Sequence, residues 1–267
     1  MYYTEHVRGT SEYRRLVAAP ILIALTALTA IAWIVTVWNA RAGGALMMAG
    51  VPMSLAMPGR LSLASGTLFL SLWAVMMAAM MFPSVWPTVL TYAASMRNRD
   101  AQGGSVPLFV AGYLLTWEMV GVAAYFLYVG VGTLLASNAN WAERVPLLIG
   151  AAVLLAGVYQ FTGLKRTCLA HCQSPVEHLA THWRDGGLGA AWMGGVHGTY
   201  CLGCCLGLML ALAALGAMDL RWMATVSALI AVEKLGPRGR AVPAGIGVGL
   251  ALLGIIVALW PRSHMAM

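Results

Sequence analysis

Charge is what this sequence has least of. Only 9% of its 267 residues are Asp, Glu, Lys or Arg, where soluble domains average about 25%. That scarcity excludes an ordinary water-soluble fold. No basic stripe exists either: the Lys and Arg residues are scattered singly near the ends of apolar runs, so a net charge of +7 does not make a nucleic-acid surface. No P-loop is present to hydrolyse ATP. No C-x-x-C-H haem attachment motif appears, and the five cysteines are an odd number without a secretory disulfide framework. Bis-His or His/Met haem ligation inside a bundle stays open. Period-2 segments are lacking, which argues against a barrel, and no internal repeat is visible.

What fills the chain is apolar. With 60% hydrophobic residues and a mean hydropathy of +0.78, it holds several runs near the roughly 20 residues that cross a bilayer. The expected fold is an all-α, polytopic helical bundle. Its spans lie near 20–38, 66–94, 106–136, 145–163, 188–215, 220–233 and 242–260. That makes seven, or six if the short segment Leu220 to Glu233 is re-entrant. Residues 1–19 form a cytoplasmic N-terminal segment, 20–260 a single membrane domain and 261–267 a tail. No small-residue cleavage site follows the first run, so it reads as an uncleaved span. With the N-terminus inside, eleven Lys and Arg fall in inner loops and five in outer ones. The positive-inside rule then places the N-terminus in the cytoplasm of a bacterial plasma-membrane protein and the C-terminus outside.

One segment concentrates the chemistry. Met193, His197, Cys201, Cys205 and Met209 follow one another at steps of four, which on a helix puts them on one face about 5–6 Å apart. Cys204 stays near that face. A lone buried Cys is a small hydrophobe, and Gly194, Gly198, Gly203 and Gly207 could serve only close helix packing. The Cys201-x-x-Cys204-Cys205 grouping behind His197 is denser than packing needs. These glycines could also distort the helix, so that Cys204 or Cys205, but not both, faces the site.

Two further clusters flank it. Met76, Met77, Met80 and Met81 pack four thioethers into six residues, with Met76 and Met80 on one face. Thioethers are soft and suit Cu(I), although Met is also an ordinary gap-filler. Pro83 and Pro87 are expected to kink this helix. Between spans four and five, Cys168, His171, Cys172, His178 and His182 fall within fifteen residues. A reducing cytoplasmic side favours metal over disulfide for such a group, while C-x3-C is not the C-x2-C of a zinc ribbon; interfacial packing is the alternative. Met47, Met48, Met53 and Met57 in the first loop could gather Cu(I) or rest on lipid. Glu118, near the middle of span three, is costly at membrane depth and so reads as a ligand, a proton carrier or a partner for His197. Glu233 beside Lys234 is expected to snorkel to the interface.

Taken together, Trp73…Met76-Met77-Ala-Ala-Met80-Met81-Phe-Pro83-Ser84…Pro87, Lys165-x2-Cys168-Leu169-x2-Cys172-x2-Pro175, Cys201-x-Gly203-Cys204-Cys205-x-Gly207-Leu-Met209 and Trp222-Met223…Glu233-Lys234 resemble the DUF2182 family of bacterial integral membrane proteins. The resemblance covers about two thirds of the chain. It implies a polytopic helical protein with a metal site and supplies no reaction. The expectation is therefore a binder of a soft transition metal, Cu(I) ahead of zinc because thiolates are joined by abundant thioethers. Its candidate ligands are Cys201, Cys204 and Cys205, with His197, Met76, Met80 and Met209. Cys168, His171 and Cys172 would make a second, cytoplasm-side station. The expected partners are the lipid bilayer, the metal ion and a metal-donor or acceptor protein, with no nucleic acid. A membrane thiol oxidoreductase cycling Cys201/Cys204 with Cys168/Cys172, lacking any thioredoxin-like βαβ setting, is the alternative. A non-catalytic assembly subunit is a third reading.

Overall fold

A computed structural model describes residues 2–41, 63–98, 105–137, 144–216 and 219–259. The methionine loop from Met47 to Met57 and the tail after residue 260 lie outside them. The described residues form helices and connecting turns: α1 (Tyr2–Arg41), α2 (Leu63–Asn98), α3 (Val106–Ser137), α4 (Val145–Tyr159), α5 (Gly163–Gln173), α6 (Pro175–His182), α7 (Gly186–Gly216), α8 (Leu220–Leu235) and α9 (Ala241–Leu259).

Five of these are long and apolar enough to cross a membrane: α1 from Ala18, α2 as far as Met96, α3 as far as Thr133, α7 and α9. The fourth expected span is not straight. It breaks after Tyr159 and turns by 63° into α5, where Thr162 caps the new helix by accepting from Lys165 N at 3.3 Å while donating to Tyr159 O at 2.8 Å. Counting that bent pair as one crossing gives six. The sixth expected span, now α8, has 16 residues; at 1.5 Å per residue it is about 24 Å long, short of the roughly 30 Å hydrocarbon core. Where seven spans were expected, or six with a re-entrant segment, the described residues hold five candidate crossings, or six with the bent pair. Nor is there a break near residue 20, since α1 runs unbroken from Tyr2 through Pro20.

Helix α7 is the hub, packing against α3, α4, α5, α6 and α8, while α1 packs on α2 and α9 on α4. Small residues let it take that position. A Cβ at Gly112 of α3 would stand 1.9 Å from the Ala191 carbonyl oxygen, and one at Gly194 of α7 equally close to that of Phe109. The two backbones touch, which is how helices associate where lipid removes the usual hydrophobic drive.

The methionine helix stays helical through both prolines. Pro83 has no N–H for the carbonyl four residues earlier, and that carbonyl, Ala79 O, instead accepts from Trp33 Nε1 of α1 at 3.0 Å. A neighbouring helix supplies the missing donor, as buried backbone in a bilayer requires.

Candidate metal centre

The face of α7 carrying the cysteines points inward. Cys201, Cys204 and Cys205 are at most 1% exposed, and their three Sγ atoms all lie within 4.8 Å of one another. Both Cys204 and Cys205 reach the cluster, their sulfurs 3.5 Å apart; the expectation that only one could do so is corrected. The two are adjacent on one helix, and Cys204 turns back to donate to Cys201 O at 3.1 Å, which brings its sulfur round to the same side.

Cys172 joins them from α5, its Sγ 3.6 Å from that of Cys204. Cys168 sits over Gly203, where any Cβ would be 2.5 Å from its sulfur. The separate cytoplasm-side station expected of Cys168 and Cys172 does not exist as such. The bend after Tyr159 folds α5 back along α7, and Tyr159 fastens the pair by donating to Gly203 O at 2.6 Å. All five cysteines are free and buried.

Polar groups from three other helices complete the surroundings. Lys234 of α8 is 6% exposed and donates to Cys201 Sγ at 2.9 Å and to Ser84 Oγ of α2 at 3.3 Å. Tyr113 of α3 lies with its hydroxyl 3.1 Å from the same sulfur. Thiolate is the form of Cys that binds metal, and the ammonium beside Cys201 supplies a countercharge for one. Lys165 of α5, fully buried, donates to Glu233 Oε2 at 2.6 Å and to Cys204 O at 2.5 Å. Gln173 Nε2 donates to Glu233 O at 2.7 Å. Glu233 therefore does not snorkel: it is 3% exposed, held in the interior by its ion pair with the buried Lys165.

Four thiols with an adjacent cation are a soft donor set that fits a thiophilic ion such as Cu(I) and fits hard cations poorly. Comparison with known families decides the wider setting. A family model described as "PpoB2: Copper chaperone" matches residues 70–257. The chain belongs to that copper chaperone family. The matched segment contains every residue placed around the sulfurs, from Ser84 to Lys234. No curated protein and no solved structure matches the chain.

The other expected site residues fall in three groups. Met76 and Met80 are buried in the same core as the cysteines, and Met209 is half-buried against it; Ser227 of α8 donates to Met80 O at 3.3 Å, so the methionine helix lies beside α8 and the Lys234 side chain. His197 is 2% exposed, with Nδ1 lacking a hydrogen-bond partner. It meets Phe109, Tyr113 and His178, whereas no hydrogen bond or ion pair links it to Glu118 among the described residues. Glu118 stays on α3, half-buried, its Oε1 unpartnered. His171 and His182 are half-buried and His178 is buried. Burial, reinforced by the charges of His182 and His171, pushes His178 down to about 4, so its ring is neutral at pH 7.

Sequence reading alone missed Tyr113, Ser84 and Tyr159, single polar residues in apolar helices. It also placed Lys165 and Lys234 in loops, although the adjacent acid and base Glu233-Lys234, inside an otherwise apolar segment, were a sign of burial.

Proposed function

We propose that this protein is a copper chaperone of the bacterial plasma membrane that takes copper as Cu(I) on the thiolates of Cys201, Cys204 and Cys205 and passes it on. Cys172 is the fourth sulfur. The carrying observation is the convergence of three sulfurs within 4.8 Å, in a buried pocket with the Lys234 ammonium 2.9 Å from one of them. Copper enters as cargo: it displaces the ammonium from Cys201 on binding, and the ammonium returns when copper leaves. A site with a built-in replacement for the metal's charge can release as well as bind. Cu(I) is preferred to zinc because the thioethers of Met76 and Met80 share the core with the thiolates, whereas zinc would be expected to draw on Cys and His alone.

The chain is taken to cross the membrane, as its long apolar helices and the DUF2182 resemblance suggest, with the N-terminus inside as the excess of Arg in the expected inner loops favours. An open cleft of about 870 Å³ reaches Lys165 and His171 from outside the bundle and is rimmed by Arg166, Arg238 and Arg240. Such a rim repels a bare cation and suits an acidic carrier protein as donor or acceptor.

The test is anaerobic titration of the detergent-purified protein with Cu(I) against a chromophoric competitor, with X-ray absorption to identify the ligands. Sulfur-ligated copper should bind, resist excess zinc and be lost in the Cys201→Ser/Cys204→Ser/Cys205→Ser variant. Equal copper in both proteins would remove this centre from consideration.

One observation favours a second reading. The Cys172 and Cys204 sulfurs, 3.6 Å apart, are near enough to oxidise to a disulfide after small side-chain rotations, as a thiol oxidoreductase would require. Mass mapping of thiols after rapid acid quenching separates the two: a Cys172–Cys204 disulfide that cycles with redox poise supports oxidoreduction, and reduced thiols holding metal support the chaperone.

A further inference from the structure

Four of the chain's six histidines gather beside the sulfur cluster, from three helices. His178 of α6 is at their centre, with the rings of His182, His197 and His171 at 4.8, 5.3 and 6.2 Å between centres. Tyr200 closes one side, stacked on His171 at 4.2 Å and edge-on to His178 at 5.3 Å.

The hydrogen bonding of these rings is uneven in a telling way. His178 is 2% exposed and neither of its ring nitrogens has a partner; Nδ1 of His197 has none either. A buried polar group left unpaired is destabilising, so packing alone would favour an apolar side chain at position 178. The two outer rings are instead anchored through one nitrogen each. His182 Nδ1 lies 3.0 Å from His178 O, and His171 Nδ1 lies 2.8 Å from Thr167 O. A carbonyl can only accept, so in a neutral ring this bond puts the proton on Nδ1 and leaves Nε2 as the atom able to bind metal; His182 Nδ1 also lies 2.9 Å from Thr181 Oγ1. Metal-ligating histidines are oriented in this manner.

We propose that His178 and His197, with His182 and His171 beside them, form a second copper station made only of imidazole, next to the thiolate centre and on the side of the short helices. The proposal rests on the copper reading above. Imidazole binds copper but is a less soft donor than thiolate. The rings are grouped rather than fully converged: among the described residues, the three cysteines are the group of metal-binding side chains whose donor atoms all lie within 4.8 Å of one another. A looser, nitrogen-only site holds its ion less tightly than the sulfur cluster, which suits a step that must also let go. Continuity supports the order of transfer. His171 lines the open cleft, His178 lies between His171 and His197, and Tyr113 adjoins both His197, at 5.9 Å between rings, and the Cys201 sulfur, at 3.1 Å.

The experiment uses Cu(I) alone, added anaerobically to the full-length protein in detergent, with copper K-edge absorption as the readout. A variant with all five cysteines changed to Ser should retain about one copper, with nitrogen ligands only. His178→Leu in that background should abolish it. In the otherwise wild-type chain, His178→Leu should lose the nitrogen-bound ion, keep the sulfur-bound one and unfold no earlier on heating, since it removes an unpartnered polar group. If the cysteine-free chain does not fold, the wild-type and His178→Leu pair alone gives the answer; if His178→Leu does not fold, His178→Gln replaces it. Sulfur-bound copper in the wild type with no nitrogen-bound ion overturns the station and leaves the thiolate centre standing. Nitrogen-bound copper that survives loss of His178 also overturns it. A wild-type protein that binds no copper ends both proposals.

Discussion

Lys165 and Lys234 are both ammonium ions buried within the same bundle, yet they are neutralised differently. Lys165 faces a carboxylate, Glu233 Oε2, at 2.6 Å, and also donates to the Cys204 carbonyl. Lys234, the residue after that glutamate, faces a sulfur and a hydroxyl. A carboxylate is a hard donor that a soft metal ion does not draw away from its ammonium. A cysteine sulfur can trade an ammonium for a metal ion. The first pair fixes α5 to α8 and so holds Cys172 against Cys204; on the function proposed above, the second pair takes part in the metal chemistry. Two neighbouring residues of one helix thus divide into a clamp and a removable counterion.

The clamp should give the largest effect. Lys165→Met leaves Glu233 buried without a cation, and breaking a buried pair in this way costs about 3–5 kcal/mol. The variant should lose its heat-induced unfolding transition or show it at much lower temperature. Lys165→Met/Glu233→Leu, which removes both charges, should recover most of that loss, because an apolar pair of similar volume is often as stable as the ion pair it replaces. A double variant as unstable as the single one would show that Lys165 acts through Cys204 O rather than through Glu233.

Lys234→Met should behave in the opposite sense. Its partners are neutral or can become so by protonation, so stability should fall far less than in Lys165→Met. Copper affinity should drop on the order of 10–100-fold, the usual cost of losing a group that supports metal ligands from outside the coordination shell. Lys234→Arg should restore part of it. Competition titration with Cu(I) measures the first quantity and thermal unfolding the second. If affinity is untouched and stability collapses, Lys234 is a second clamp and the distinction fails.

How much of this could be read beforehand depends on sequence separation. The helical membrane class and the inward face of α7 follow from local patterns, apolar runs and the four-residue spacing of His197, Cys201 and Cys205. The short helix carrying Cys168 and Cys172 was also legible as a helical face. Its position was not, since it depends on a 63° bend and on contacts between residues 32 to 68 positions apart. Lys165 and Lys234 illustrate the same limit. As single basic residues at the ends of apolar runs they look like topology signals, and the fold turns them inward onto Glu233 and Cys201. The prolines of α2 were legible as positions that lack a backbone donor, but the donor that reaches Ala79 O instead, Trp33 Nε1, comes from another helix.

A smaller effect tests how firmly the clamp holds α5 against α7. A Cβ at Gly203 would lie 2.5 Å from Cys168 Sγ, which can rotate away, and 3.2 Å from Cys168 Cβ, which yields only if α5 shifts by a few tenths of an ångström. Gly203→Ala should therefore cost at most the low end of the 1–3 kcal/mol typical of overpacking. It should also separate Cys172 from Cys204 slightly. The measurement is the yield of the Cys172–Cys204 disulfide under a mild oxidant, which should fall while the fold persists. An unchanged yield would mean that α5 tolerates the extra methyl group without moving.

The smallest effect belongs to an exposed ion pair, Asp219 with Arg221. Asp219 caps α8 by accepting from Arg221 N at 2.8 Å, and its carboxylate also receives the Arg221 side chain at 2.9 Å. These bonds hold Asp219 down at about 2, below the usual carboxylate value. The sign follows: a carboxyl depressed in the folded state contributes stability above its ordinary range and loses it as pH falls towards 2. Solvent screens such a pair, so Asp219→Ala should loosen only the first turn of α8, seen as faster amide exchange at Met223, whose N–H bonds to Asp219 O, and at its neighbours. The difference from wild type should be present at pH 7 and vanish near pH 2. Unlike Lys165→Met, it should leave both the unfolding temperature and the copper stoichiometry in place, because the cap lies at the far end of α8 from Glu233 and Lys234. Loss of copper binding in Asp219→Ala would mean that the register of the whole helix, and not its last turn, positions the Lys234 counterion.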